Sequence, residues 1–260
     1  MSLLKVEQLT KHFGGIQALK GMGLSIEPHQ IVGLIGPNGA GKTTFFNCLT
    51  GVYRPDQGGV ELSTKAGTRS LVGLRPDQVN RAGLARTFQN IRLFGQMRVV
   101  ENVLVGRHGV TQTGFLGALL RTRAFVAEER ANLQRAYELL ELVGMADQAN
   151  RLANNLSYAD QRRLEIARAL ATEPRLLLLD EPAAGMNPTE TALLDRLILK
   201  LRDELGLSIL LIEHDMKLVM NLCDRVLVMD QGRDIAFGTP AEVQSNPAVV
   251  AAYLGEESHA

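Results

Sequence analysis

The run GPNGAGKTT at positions 36–44 constrains this chain more than any other feature. Five apolar residues, 31–35, lead into it, and Phe45, Phe46 and Leu49 follow at helical spacing. Strand, glycine-rich turn and helix thus arrive in the order in which a G-x-x-x-x-G-K-[ST] loop cradles phosphate. Gly36, Gly39 and Gly41 let successive backbone N–H groups converge on phosphate oxygens, Asn38 and Ala40 complete the nucleotide-binding loop, and the helix start adds its positive dipole end. Lys42 is placed to reach the β- and γ-phosphates. Thr43 can set its hydroxyl on Mg²⁺ and Thr44 can donate toward the α-phosphate side. At average composition the four fixed positions match by chance somewhere in such a chain on the order of one time in a hundred. Set between a strand and a helix, the loop is read as a nucleoside triphosphate site. No NKxD base-reading motif accompanies it, which favours ATP over GTP.

A hydrolytic centre is written further along. LLLLDEP places Asp180 at the carboxyl end of a buried apolar strand, where ligands of open α/β sheets collect. Asp180 suits water-mediated coordination of Mg²⁺. Glu181, one residue on, suits the general base that polarises an attacking water. His214, closing the run 208–213, can hydrogen-bond the γ-phosphate and that water. Gln89 closes LARTFQ, where an amide can reach Mg²⁺ and the water while also feeling the segment that starts there, a mechanical link. Lys42, Gln89, Glu181 and His214 are the candidate catalytic residues; Thr43, Gln89 and Asp180 are the candidate metal ligands. The remaining histidines, His12, His29, His108 and His259, fall in polar turns, loops or the tail and are expected to carry no chemistry. His214 and Asp215 have no further His/Cys cluster that would make them metal ligands.

Short apolar runs at 3–9, 16–26, 31–35, 84–89, 176–180, 208–212 and 225–229 alternate with helical patterns, which predicts an α/β fold with a largely parallel sheet. LLLLD and ILLIEH lack period-two alternation, as expected of central strands covered on both faces. Between Gln89 and Pro174 the texture becomes helical, over 125–143 and again over 157–171, and this stretch reads as an inserted helical subdomain opening with a Gly/Thr-rich loop at 106–117. After Gly232 a short β-turn-β unit is expected, then a helix start at Thr239-Pro240, a terminal helix over 247–254 and a polar tail.

At 260 residues the chain has ample core and needs no external staple. Its two cysteines, Cys48 and Cys223, read as reduced, packed thiols. No signal peptide is visible at the N-terminus, and no apolar run approaches the ~20 residues of a membrane helix, so the protein is expected to be soluble or peripheral. Acidic and basic residues balance at 28 each, but residues 65–135 hold twelve basic against four acidic ones. That surplus suits either a solvated surface or an acidic contact.

In order and spacing these motifs resemble the ABC ATPase family along essentially the whole chain. Residues 36–44 match its Walker A, Gln89 its Q-loop, 176–181 its Walker B with the catalytic glutamate, 184–187 its D-loop and His214 its switch histidine. LSYADQ at 156–161 stands where the LSGGQ signature belongs. The resemblance implies one ABC ATPase domain over 1–260. Within it, 1–88 and 174–240 form a P-loop, RecA-like core with an antiparallel β subdomain, 89–173 a helical subdomain, and 241–260 a C-terminal helix and tail. Ser157 reads as an N-cap with Asp160 three residues on, a capping-box-like start to an amphipathic helix. In the family that helix end faces the γ-phosphate held by the opposite subunit, which adds Ser157 and Ala159 to the ATP-binding residues. Tyr158 and Ala159 replace the signature glycines and Asp160 the glutamine, which implies a weakened or asymmetric composite site. Phe13 occupies the place of the aromatic that stacks on adenine.

RTFQNIRLF, DEPAAGMNP, LIEHDMKLVM and NPAVVAAYLGE further resemble the ATP-binding subunits of branched-chain amino acid importers. By that resemblance the cofactors are ATP and Mg²⁺. The partners are a second, different ATPase subunit, two transmembrane permease subunits and, indirectly, a periplasmic binding protein, with the chain peripheral on the cytoplasmic face of the bacterial inner membrane. Urea and short-amide importers use similar subunits. A DNA-repair ATPase shares the motifs but inserts long coiled coils where this chain has little room, so no nucleic acid is expected; Glu181 and His214 argue against a non-hydrolysing, nucleotide-gated interaction protein.

Overall fold

The computed structural model describes residues 2–111 and 120–257. His259, the far end of the tail and residues 112–119 of the Gly/Thr-rich segment lie outside the described residues.

Two sheets organise the nucleotide-binding part. Strands β1 (Leu4–Phe13), β2 (Ile16–Ile26), β4 (Gln57–Thr64) and β5 (Gly67–Ser70) form an antiparallel sheet in the order β2-β1-β4-β5. Strands β3 (Ile31–Ile35), β6 (Leu84–Arg86), β7 (Leu176–Asp180), β8 (Ser208–Ile212), β9 (Arg225–Asp230) and β10 (Arg233–Gly238) form a second sheet, order β10-β9-β3-β8-β7-β6. All its pairings are parallel except β9 with β10.

The uniformly apolar central strands are covered on both faces, and alternate residues serve different cores. Ile31, Ile35, Leu177, Leu179, Ile209 and Leu211 point into one cluster with helices α3 (Val99–Arg107), α4 (Arg123–Leu142), α5 (Tyr158–Leu170) and α6 (Pro188–Leu205). Val32, Leu34, Leu176, Leu178, Leu210 and Ile212 point into the other, with Phe45, Phe46 and Leu49 of α1 (Lys42–Leu49) and the apolar face of the antiparallel sheet. The sheet therefore presses α1 against one face and the helical layer against the other. Short helices α2 (Pro76–Arg81), α7 (Met216–Leu222), α8 (Pro240–Gln244) and α9 (Pro247–Glu257) complete the chain. Among the described residues no helix is long and apolar enough to cross a membrane.

Several local expectations shift. The hairpin β4–β5 was hidden by its Gly/Ser/Thr-rich sequence, in which only Val60 and Leu62 turn to the core. β6 stops at Arg86 rather than Gln89, and β8 at Ile212, where the Ile212 carbonyl instead accepts from the Glu181 N–H at 3.0 Å. After Gly232 there is one strand, not a β-turn-β unit, because Gln231 and Gly232, both at positive φ, form the turn from β9. The loop expected from Gly106 onward begins later. Gly106 lies inside α3, and a Cβ there would stand 2.3 Å from the Arg168 carbonyl oxygen, so this glycine allows α3 to cross close against α5. Cys48 and Cys223 are both buried, and burial pushes their thiols up to about 11 and about 12.

Candidate active site

The phosphate loop leaves β3 through Gly36, Gly39 and Gly41, with φ of +151°, +79° and +103°. A Cβ on Gly36 would lie 2.1 Å from the carbonyl oxygen of Met229 and one on Gly41 2.7 Å from that of Ala18, whereas one on Gly39 meets nothing within 4 Å. The outer glycines let the loop press on neighbouring backbone. Gly39 supplies the left-handed turn and leaves the space over the loop open. Gly36→Ala should lower stability by about 1–3 kcal/mol, the cost of overpacking, readable as a lower denaturation midpoint; an unchanged midpoint would refute the backbone contact.

Lys42 is buried, and its ammonium donates to the carbonyls of Gly36 and Pro37, the latter at 2.9 Å, spanning the loop from within. The turn after β9 braces the outside: the Gly232 N–H donates to the Ala40 carbonyl at 2.9 Å, and the Gly232 carbonyl accepts from the Lys20 N–H at 2.7 Å. Above the loop opens a cleft of about 600 Å³. Residues Asn38 to Thr44 line its floor, Ile16, Gln17, Ala18 and Lys20 with Gln231 and Gly232 its walls, and Gln89, Glu181 and His214 its mouth. The wall residues had no sequence motif; β2 and the turn after β9 bring them to the loop only through packing.

Three residues separated by up to 125 positions converge at that mouth. Glu181 sits at φ +48°, so its side chain leaves the strand end sharply. One carboxylate oxygen accepts from the Gln89 amide at 2.8 Å and the other lies 2.8 Å from His214 Nε2. Beneath them Glu213, 5 % exposed, accepts from the Ala183 N–H at 2.9 Å and the His214 N–H at 3.2 Å. Burial pushes the Glu213 carboxyl up from its ordinary range against those bonds. It ties the segment after Glu181 to the backbone of His214, a role no motif disclosed.

Asp180 stands apart from this group. It is 4 % exposed, does not line the cleft, and its carboxylate accepts from Arg86 at 2.6 Å. Arg86 also donates to Asn47 of α1 at 2.6 Å, so the pair locks β6, β7 and the helix behind the phosphate loop together. Thr43 and Gln89, by contrast, are open to the cleft.

The start of α5 lies outside the cleft. Ser157 and Ala159 line a separate recess of about 230 Å³ with Met186 and Glu190, so one chain does not bring them to its own phosphate loop. Ser157 Oγ accepts from the Asp160 N–H at 3.1 Å, but the reciprocal half of a capping box is missing, because the Asp160 carboxylate turns to Arg163 and Gln148. Burial opposes the charged form of Asp160, yet the Arg163 and Ser157 hydrogen bonds outweigh it and hold the carboxyl below its ordinary range. Its charge is thus matched by Arg163 beside the helix end. The Tyr158 ring lies over Gly185, where a Cβ would come within 3.5 Å of it, and its hydroxyl accepts from Arg162 at 3.1 Å. Arg162 is wholly buried. It donates to the carbonyls of Phe88 at 2.6 Å and Gln89 at 2.8 Å and to Glu165 at 3.0 Å, and so fixes the loop that follows β6. Phe13 is 42 % exposed, edge-on to Tyr53 with ring centroids 5.1 Å apart, and is not among the residues lining the cleft.

Residues 19–184, a span that holds the phosphate loop, Gln89, the capped helix and Glu181, match the family model described as ABC transporter. The chain belongs to the ABC transporter family. The cassette is accordingly a nucleotide-binding ATPase. Residues 235–259 match a second model, described as branched-chain amino acid ATP-binding cassette transporter. Among relatives of this cassette, the high-affinity branched-chain amino acid transport ATP-binding protein LivG is 52 % identical in Salmonella typhimurium and 51 % identical in Escherichia coli, and BraF of Pseudomonas aeruginosa is 50 % identical. Each match covers 98 % of both chains. A crystal structure of the ADP conformation of an ATP-binding cassette superimposes with a TM-score of 0.84 at 32 % identity, covering 98 % of this chain and 99 % of that one. A dimeric cassette in a post-hydrolysis state with ADP and Pi gives 0.75 at 26 % identity, covering 91 % and 98 %. The ABC fold and the likeness to branched-chain importer ATPases, both expected from sequence, are what these comparisons find.

Proposed function

We propose that this chain hydrolyses ATP as one of two ATPase subunits of an importer for branched-chain amino acids, peripheral on the cytoplasmic face of the bacterial inner membrane. The observation that carries this reading is the Glu181 carboxylate held between Gln89 and His214, at 2.8 Å from each, over the mouth of the phosphate-loop cleft. The names of the relatives supply the transported class. The triphosphate lies over the backbone N–H groups of residues 38–44 with Lys42 toward its β- and γ-phosphates. Glu181 takes the proton of the attacking water; His214 donates toward the γ-phosphate and keeps the carboxylate aimed. Mg²⁺ fits the donors present, since the Thr43 hydroxyl and the Gln89 amide oxygen are hard oxygen ligands open to the cleft, and such a site completes its shell from phosphate and water. Asp180, held by Arg86 outside the cleft, would reach such an ion only through intervening water. When bound, the ion neutralises charge on the phosphates.

A second, different cassette presents its equivalent of the Ser157 helix end to this cleft, and this chain's Ser157 and Ala159 face the partner's nucleotide. That a similar cassette forms a dimer with ADP and Pi bound supports pairing of two cassettes. Two permease subunits, served by a periplasmic binding protein, complete the importer. The test is reconstitution with the permease pair encoded beside this chain: ATP-dependent leucine uptake in vesicles is expected, and hydrolysis that drives urea uptake instead would overturn the substrate class.

The permease docks at the groove between Phe88, Phe94 and Arg168, beside residues 91–94. Phe94 is half-exposed there, and Arg92 stacks on Phe88 at 4.6 Å. Arg92→Glu should cut coupled transport roughly tenfold or more, as loss of a charged interface contact does, with nucleotide binding intact; unaltered coupling in flux assays would refute the docking site. No nucleic acid is expected, and four of the twelve basic residues of 65–135 are paired within the chain: Arg86 with Asp180, Arg107 with Glu173, Arg75 with Asp77 and Arg135 with Glu138.

A further inference from the structure

Part of that basic surplus is not paired. Lys65 and Arg69 on the β4–β5 hairpin and Arg81 at the end of α2 make no salt bridge among the described residues, Asp77 near Arg81 being bridged to Arg75, and all three line one recess of about 360 Å³. Arg175 stands in the same wall, its guanidinium on the Ser63 carbonyl. The single acid there, Glu173, is already held by Arg107. Residues 112–119, which adjoin the recess in the chain, contain no acidic residue that could serve it.

Like charges gathered around a concavity repel, and the field they focus favours an anion inside it. The recess is not isolated. Asn80, Gly109 and Thr172 line both it and the groove beside Phe88 and Phe94, so whatever docks in the groove passes the cations. Its shape selects between anions: a flat layer of lipid headgroups cannot fill a concave site of this size, whereas one or two protruding carboxylates can, and guanidinium groups take carboxylates in bidentate fashion.

We propose that the recess between the β4–β5 hairpin and α2 receives an acidic segment of the membrane-embedded partner, with an Asp or Glu seated between Arg81 and the Lys65–Arg69 pair. This rests on the docking groove assigned above and adds the electrostatic half of that interface. It sets the register of the permease on the cassette and makes assembly salt-sensitive.

The test uses the whole chain and the permease pair encoded beside it. Lys65→Glu, Arg69→Glu and Arg81→Glu are combined in one variant, and Phe94→Asp is made separately in the groove. None of the three cations touches the nucleotide cleft, so basal hydrolysis and the melting temperature of the triple variant should match the parent. Retention of the triple variant by the purified permease pair should fall at least tenfold, and the parent's retention should weaken as salt rises. If the triple variant is retained like the parent while Phe94→Asp is lost, the recess proposal fails and the groove stands. If both are retained, the groove reading fails as well. Vesicles of phosphatidylglycerol and phosphatidylcholine supply the remaining arm: salt-sensitive binding that the triple variant loses, with permease retention unchanged, would assign the recess to headgroup phosphate and overturn the proposal.

Discussion

Glu181→Gln is expected to bind MgATP as the parent chain does and to turn it over about a hundred to ten thousand times more slowly, the range lost with a general base. The substitution keeps the volume and leaves the phosphate loop untouched, so the contacts that hold the triphosphate, the backbone of residues 38–44 and Lys42, persist. What goes is the proton acceptor. The carboxylate now accepts from Gln89 and faces His214 Nε2, each at 2.8 Å; an amide offers one acceptor oxygen where two donors converge. With hydrolysis stopped, two nucleotide-loaded cassettes should also stay together longer, visible as an ATP-dependent dimer by sizing chromatography with the natural partner subunit. Equilibrium dialysis measures the retained binding and phosphate release the lost turnover. Steady-state hydrolysis equal to that of the parent would remove Glu181 from the base role.

Arg162→Met is expected to be the most destabilising of the single substitutions near the site. Its guanidinium is wholly buried against Glu165, also buried, and breaking such a pair by removing one partner costs about 3–5 kcal/mol. The pH dependence has a definite sign. Burial already pushes the Glu165 carboxyl up, and Arg162 is the foremost influence opposing that. Without Arg162 the folded-state value rises further above the unfolded one, so the folded chain binds more protons and stability falls as pH rises through that window. Denaturant melts of the variant should therefore show a larger loss of stability from pH 5 to pH 8 than those of the parent. Replacing both partners, Arg162→Met with Glu165→Leu, should restore most of the stability, because a buried apolar pair carries no desolvation cost. Activity should not return with it. The carbonyls of Phe88 and Gln89 still lack the donor that holds them, and the Gln89 side chain is the one that meets Glu181. A double variant with both parental stability and parental turnover would show that Arg162 only fills space, and a single variant with the parental pH profile would refute the electrostatic account.

Arg162 also shows where reading the chain alone stopped. The helix 157–171 was legible from its apolar spacing and its serine cap, but an arginine in an amphipathic pattern reads as a solvent-facing residue. Only the fold shows that its side chain runs inward to two carbonyls 73 and 74 positions earlier. The same holds for the altered signature. Asp160 reads as an acid in place of the signature glutamine, and the structure sets Arg163 and Gln148 on its carboxylate. Tyr158 looked like a lost glycine, and it packs on Gly185 of the segment that follows Glu181.

The phosphate loop, the apolar strand ending in Asp180 just before Glu181, and the capped starts of α5 and α8 were all determined by sequence alone. Each depends on glycine φ freedom, backbone hydrogen bonds or a cap within a few consecutive residues, and such physics is local. The tertiary structure decided which remote groups meet: Arg86 taking the carboxylate of Asp180 away from the cleft, Gly232 bracing Ala40, Glu213 tying Ala183 to His214, and four cations sharing one recess. Those pairings follow from burial, since a polar group removed from water must find a partner wherever packing has put one.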